Sequence, residues 1–193
     1  MRAVTLLALG GITLASAALA QDLPDGDPAE GRKVAGMCRT CHGTDGYAKI
    51  PIAPHIGGEP AAYLAGQLLA FKSGERVHEM MSVVAAGLSE QQISDVAAWY
   101  AAQRASATLD ADPGNAPKLC SACHGIDGIA VVDDAPNLAG ETNIYTVTQL
   151  KAFRLGKREH EVMSAIAAEL TDAEMRALAD WYAAAKLTIE PPD

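Results

Sequence analysis

Two short stretches of the chain place cysteine and histidine at the same spacing. The pattern Cys-x-x-Cys-His occurs at Cys38, Cys41 and His42, and again at Cys120, Cys123 and His124. Four cysteines are compatible with two disulfides, a four-thiolate zinc site or a thioredoxin-like redox pair. The histidine that directly follows each pair instead favours covalent attachment of haem c. Cysteines three residues apart lie on one face of a helical turn, where both sulfurs can reach the vinyl groups of one porphyrin and the next imidazole can bind its iron.

The two motifs belong to a tandem repeat with an offset of 82 residues. Matching positions continue without a gap through Pro54 and Pro136, Tyr63 and Tyr145, Gln67 and Gln149, Arg76 and Arg158, and Trp99 and Trp181. Such a duplication predicts two domains of one fold, each with its own haem. We expect domains at 21–104 and 117–193, joined by a small, acidic linker at 105–116 that is interrupted by Pro113 and Gly114.

A haem iron held by one histidine needs a second axial ligand from farther along each domain. Met81 and Met163 each lie 39 residues after their histidine, whereas Met80 is matched by a valine. A methionine ligand raises the reduction potential and suits electron transfer. His78 and His160, three residues before these methionines, also match across the repeat. The repeat alone therefore leaves both His/Met and bis-His coordination open.

The elements that must position these side chains are helices. Residues 29–37 favour a short helix leading into the first cysteine, and residues 60–73 have apolar positions at helical spacing. Capping boxes at Ser89 with Gln92 and at Thr171 with Glu174 begin two further helices. Residues 47–59 and 129–141 are Pro- and Gly-containing loops, and no window alternates as a strand does. A domain of about 80 residues has a marginal core, which a bound haem would complete.

The amino terminus and the charge define the setting of the protein. Residues 1–20 have a charged start, an apolar run and the small-x-small sequence Ala18-Leu19-Ala20, which predicts a cleaved signal peptide. With the haem motifs, export points to a bacterial periplasm. No later stretch reaches the about 20 apolar residues of a membrane span. Residues 21–104 carry 7 basic and 10 acidic side chains, and residues 105–193 carry 7 and 14, so a nucleic-acid partner is not expected.

In these motifs the chain resembles the dihaem cytochromes c of the c4 type, which include the related dihaem subunit of flavocytochrome c sulfide dehydrogenase. The resemblance covers both motifs, the stretches "PHIGGEPAAYLAGQLLAFKSGER" and "MSVVAAGLSEQQISDVAAWYAAQ", and their second copies. It implies an all-α fold of two tandem class I cytochrome c domains related by a pseudo-twofold axis, with the haem propionates facing the interface. It also implies that Met81 and Met163 are the sixth ligands.

The resemblance assigns further roles. The carbonyls of Pro54 and Pro136, each 12 residues after its histidine, are expected to accept a hydrogen bond from the proximal imidazole. Candidates for propionate contacts are Tyr63, Tyr145, Gln67, Gln149, Arg76 and Arg158. His55 stands where the second domain has Asn137, so the surroundings of the two haems differ.

The function expected from these features is electron transport without catalysis. Two covalently bound haem c groups would pass electrons from a quinol oxidoreductase or a periplasmic dehydrogenase to an acceptor such as a terminal oxidase. One alternative is a dedicated cytochrome subunit of a dehydrogenase complex, such as a flavin-containing sulfide dehydrogenase. Another is a haem enzyme with a labile methionine ligand, which would bind carbon monoxide rapidly when reduced.

Overall fold

The computed structural model describes residues 23–192, so the predicted signal peptide at 1–20 lies outside the described residues. Within this range the fold is built from helices with one small sheet, which confirms the expected all-α class. No helix in the described part is long and apolar enough to cross a membrane. The helices are α1 (Pro28–His42), α2 (Ala61–Ser73), α3 (Met81–Ala86), α4 (Glu90–Ala101), α5 (Lys118–His124), α6 (Asn143–Arg154), α7 (Glu161–Glu169) and α8 (Asp172–Ala183).

The first four helices pack around one core. Asp27 caps α1 by accepting the amide hydrogen of Ala29 at 2.8 Å, and Pro28 occupies the first turn, where its missing N–H costs nothing. Helix α1 packs along α4 so closely that the Cβ of any larger residue at Gly31 would meet the carbonyl of Asp95. The buried core residues are Ala35, Leu64, Ala65, Leu88, Ile93, Val96, Ala97 and Tyr100.

The second four helices repeat this arrangement with a smaller core, formed by Leu150, Phe153, Ala167 and Met175. Helix α5 has 7 residues where α1 has 15, because Pro113, Gly114 and Pro117 precede it and a short 3-10 turn replaces the missing helix. The predicted capping boxes are both present: Ser89 and Thr171 accept from the third residue of α4 and α8, whose side chains accept in return.

A two-stranded antiparallel sheet joins the two halves, which the sequence did not predict. Strand β1 (Arg104–Thr108) follows α4 and strand β2 (Lys186–Glu190) follows α8, so part of the segment expected to be a linker is a strand. The central pair of the ladder is Ser106 with Thr188. These two residues are equivalent in the repeat, so the pseudo-twofold axis passes between them and the strands relate the domains by a half turn. The domain boundaries themselves remain a prediction.

Candidate haem sites

The two proximal histidines are held identically at the ends of α1 and α5. Nδ1 of His42 lies 2.9 Å from the carbonyl oxygen of Pro54, and Nδ1 of His124 lies 2.8 Å from that of Pro136. A carbonyl can only accept, so Nδ1 carries the proton and Nε2 keeps its lone pair. Burial lowers the pKa of both histidines against the opposing effect of these carbonyls, which favours the neutral imidazole that binds a metal.

The cysteines fit covalent attachment to a porphyrin. All four are free thiols, and each is half-buried on the last turn of the helix that ends at the proximal histidine. Burial raises the pKa of the Cys38 and Cys120 thiols, so these side chains are held neutral. Two cysteine side chains for covalent attachment and one imidazole nitrogen with a free lone pair, close together at the end of one helix, are the groups that haem c requires.

The candidate sixth ligands begin the short helices α3 and α7. Met81 and Met163 are half-buried, and Met163 packs against the core of its domain. Met80 is 59 % exposed and its counterpart Val162 is 50 % exposed, so neither side chain is buried in the interior of its domain. Burial is the main cause that lowers the pKa of His42, and His78 adds to it, so the segment just before α3 lies within electrostatic reach of the proximal histidine.

His78 and His160 are exposed and serve as helix caps. Nδ1 of His78 accepts the amide hydrogens of Met80 at 3.2 Å and Met81 at 3.3 Å. Nδ1 of His160 accepts that of Met163 at 3.3 Å. Each histidine in turn donates its own amide hydrogen to the serine four residues on. This reciprocal arrangement resembles a capping box and accounts for the repeated histidine.

The residues expected to contact propionates meet each other across the domain interface. Arg76 donates to Gln67 of its own domain at 2.6 Å and to Gln149 of the other at 2.7 Å. The second domain mirrors this: Arg158 donates to Gln149 at 2.9 Å, Gln67 at 3.0 Å and Tyr63 at 3.1 Å. Burial raises the pKa of Tyr63 to about 12, so its hydroxyl stays protonated.

Trp99 and Trp181 lie on the last helix of each domain and tie it to the loop after the haem motif. Their ring N–H groups donate to the carbonyls of Thr44 at 2.8 Å and Ile126 at 2.9 Å, just after the haem motifs. Tyr100 and Tyr182, the next residues along, donate to the glycine carbonyls directly after the proximal histidines. The last helix therefore fixes the end of the motif-bearing helix in both domains.

A second set of crossed contacts was not anticipated from the sequence. His55 N donates to the carboxyl of Glu141 at 2.7 Å, and Asn137 N donates to both carboxyl oxygens of Glu59 at 3.0 Å. Both glutamates are buried at the interface between the domains. The repetition of Gly-Glu at 58–59 and 140–141 was the available signal, but its meaning depends on the docking of the two domains.

The helical shell and the two histidine–cysteine sites define a dihaem c-type cytochrome, and comparison with known proteins agrees. The family model for cytochrome c matches residues 116–184. Cytochrome c4 of Pseudomonas aeruginosa is 31 % identical over 91 % of this chain and 94 % of its own length. The thiosulfate dehydrogenase electron acceptor of Thiomonas intermedia is 32 % identical over 80 % of this chain and 81 % of its own.

Solved structures extend the likeness to three dimensions. Reduced recombinant cytochrome c4 from Pseudomonas stutzeri superposes with a TM-score of 0.72 at 28 % identity, covering 83 % of this chain and all of that one. The chain belongs to the cytochrome c4 family. It is a dihaem electron-transfer protein that holds two covalently bound haem c groups, with attachment positions at Cys38 with Cys41 and Cys120 with Cys123.

Proposed function

We propose that this protein is a periplasmic electron carrier in which His42 with Met81 would bind one haem iron and His124 with Met163 the other. When bound, each haem supplies a centre that takes up and releases one electron. The chain holds the proximal imidazoles in one tautomer through the carbonyls of Pro54 and Pro136. Export rests on the signal-peptide pattern at 1–20.

One observation carries the assignment of the methionines. Nδ1 of His78 and of His160 accepts a backbone N–H at the start of the next helix, so in each neutral ring the proton resides on Nε2. A nitrogen that carries a proton has no lone pair for iron. The exposed position of both histidines supports the same conclusion. The thioethers of Met81 and Met163 would then be the second protein ligands of the two irons.

The interface arginines support binding of the propionates. Arg158 is buried, yet among the described residues the hydrogen bonds of Arg76 and Arg158 go to neutral amide and phenol groups. Each guanidinium also lies over a phenylalanine ring of its own domain, which carries no charge either. A buried guanidinium is stable only when a charged or strongly polar partner satisfies it. A haem propionate provides the matching carboxylate, and arginine binds carboxylates through two parallel hydrogen bonds. Arg76 and Arg158 would therefore bind the propionates of the two haems at this network.

Three substitutions test the ligand assignment. Met81→Ala should abolish the methionine–iron charge-transfer band of one haem and lower its potential, because a strong-field thioether is lost. Met80→Ala is the matched control, since this side chain is exposed, and it should leave both bands intact. His78→Ala should also keep both bands while lowering stability by about 1 kcal/mol through the lost cap. Absence of these bands from the wild-type protein, with potentials that change in His78→Ala but not in Met81→Ala, would establish bis-His coordination instead.

A second candidate is a dedicated acceptor for a dehydrogenase. It is favoured by the similarity to a protein named as the electron acceptor of thiosulfate dehydrogenase. The two candidates differ in the partner that reduces the protein. Rapid reduction by a purified periplasmic dehydrogenase with its substrate, together with stable co-purification, would support the dedicated role. A monomeric holoprotein that exchanges electrons equally fast with several unrelated donors would support the free carrier.

A further inference from the structure

A continuous hydrogen-bonded path connects each proximal histidine to a glutamate of the opposite domain. In the first domain, Nδ1 of His42 donates to the carbonyl of Pro54 at 2.9 Å. The N–H of the same peptide group belongs to His55, and it donates to Oε1 of Glu141 in the second domain at 2.7 Å. One rigid, planar peptide therefore bonds to the proximal ligand at its oxygen and to the glutamate at its nitrogen.

The second domain repeats this path in the reverse direction. His124 donates to the carbonyl of Pro136 at 2.8 Å, and the N–H of that peptide, on Asn137, donates to the carboxyl of Glu59 in the first domain at 3.0 Å. The same geometry is present in both domains, related by the pseudo-twofold axis, although His55 and Asn137 differ between the copies. The contact therefore belongs to the arrangement of the two domains.

The peptide group transmits the effect of the glutamate. When an acceptor binds its N–H, an amide becomes more polarised, and its carbonyl oxygen becomes a stronger acceptor. A stronger acceptor at Pro54 draws the Nδ1 proton away from the imidazole, which makes Nε2 a better donor to iron. A better donor stabilises the oxidised metal and so lowers the reduction potential. Both carboxyls are almost fully buried, where the low dielectric strengthens each bond.

We propose that Glu141 and Glu59 are crossed positioning residues, each of which sets the reduction potential of the haem in the opposite domain through a Pro–His or Pro–Asn peptide. The inference deepens the proposed function and rests on it, since it takes His42 and His124 as the proximal ligands. It gives the domain interface a chemical role, because docking of one domain completes the ligand environment of the other.

The test is a redox titration of the intact dihaem protein in which nitrogen-15 NMR spectra are recorded at each potential. Backbone amides at 39–41 report the oxidation state of the first haem, and those at 121–123 report the second. Glu141→Ala removes the acceptor from His55 N–H, so the potential of the first haem should rise while that of the second stays unchanged. We expect about a tenfold change in the equilibrium constant for reduction, equivalent to 59 mV for a one-electron couple.

Matched variants complete the design. Glu59→Ala should raise only the potential of the second haem. Burial raises the pKa of Glu141 well above its usual range, which favours the neutral carboxyl. Glu141→Gln therefore keeps a neutral oxygen acceptor and should retain the wild-type potential. If Glu141→Ala does not fold, Glu141→Asp, which weakens the contact by shortening the side chain, should shift the first haem in the same direction by less.

The proposal requires that each glutamate variant shift the potential of the haem in the opposite domain. A shift confined to the haem of the glutamate's own domain, equal shifts of both haems, or no shift in correctly folded protein would each overturn the relay while leaving the carrier function intact. A wild-type protein without two one-electron haem waves would instead contradict the proposed function.

Discussion

Replacement of Gly58 by alanine should destabilise the protein through the contact between the first domain and strand β1. Gly58 has a φ of +78°, which L-residues rarely adopt. A Cβ at this position would lie 2.4 Å from Cβ of Ala105 and 2.9 Å from its backbone nitrogen. Carbon atoms make favourable contacts at about 3.5–4.0 Å, so the loop and the strand would have to separate by more than 1 Å, as estimated from that range.

The magnitude follows from two contributions. A left-handed backbone conformation costs an alanine about 1–2 kcal/mol relative to glycine. Forced overpacking adds about 1–3 kcal/mol. Gly58→Ala should therefore lower the free energy of unfolding by about 2–5 kcal/mol. Gly74 provides the matched control, because its φ is +86° and, its chain neighbours aside, no atom of the described residues lies within 4 Å of where a Cβ would stand. Gly74→Ala should incur only the first contribution.

The free energy of unfolding of both holoprotein variants is measured by guanidinium titration under the same conditions, with far-ultraviolet circular dichroism as the signal. Gly140→Ala should fall between them, since its Cβ would approach Cβ of Leu187 at 3.0 Å, where a flexible side chain can move by a few tenths of an ångström. If Gly58→Ala proved no more destabilising than Gly74→Ala, the packing of the loop against β1 would be refuted.

Three further outcomes are expected. Burial raises the pKa of Glu59 from 4.5 to about 8, so the free energy of unfolding should fall by about 1.4 kcal/mol per pH unit between these two values as the pH rises. Denaturant titrations of Glu59→Gln should show a weaker dependence of this free energy on pH. Burial lowers the pKa of His55, so the free energy of unfolding should fall as the pH drops below about 6.5. Denaturant titrations at pH 5 and 7.5 should show that His55→Asn removes this contribution to the loss. Ser89→Ala should cost about 1 kcal/mol, measured by thermal unfolding, because it removes half of a capping box.

The sequence predicted most of the helices and both haem motifs because these depend on local spacing. Capping boxes, the loop prolines and the apolar periodicity of residues 60–73 all act within one helix or turn. The 82-residue repeat then carried each assignment from one domain to the other. It separated Met80 from Met81 by comparison with Val162, and the exposure of Met80 agrees with that distinction.

The strands could not be predicted for a physical reason. Arg104–Thr108 and Lys186–Glu190 have five residues each and share no identical residue in the repeat register. Each strand pairs with the other, whose residues lie 78 to 86 positions away along the chain. The same holds for the glutamate contacts, since Glu59 and Asn137 become neighbours only after the domains dock. Pairing over such distances depends on tertiary structure and leaves no local pattern in the chain.

The difference between His55 and Asn137 shows how far the pseudo-symmetry extends. Nδ1 of His55 accepts from Ala48 N at 3.0 Å and its Nε2 donates to Gly140 O at 3.2 Å. Oδ1 of Asn137 accepts from Ala130 N at 2.9 Å and Nδ2 donates to Gly58 O at 3.2 Å. A neutral imidazole with its proton on Nε2 thus presents the same acceptor and donor as the amide. A protonated imidazole would point a second N–H at the amide of Ala48, so the two haem surroundings are equivalent in hydrogen bonding only while His55 is neutral.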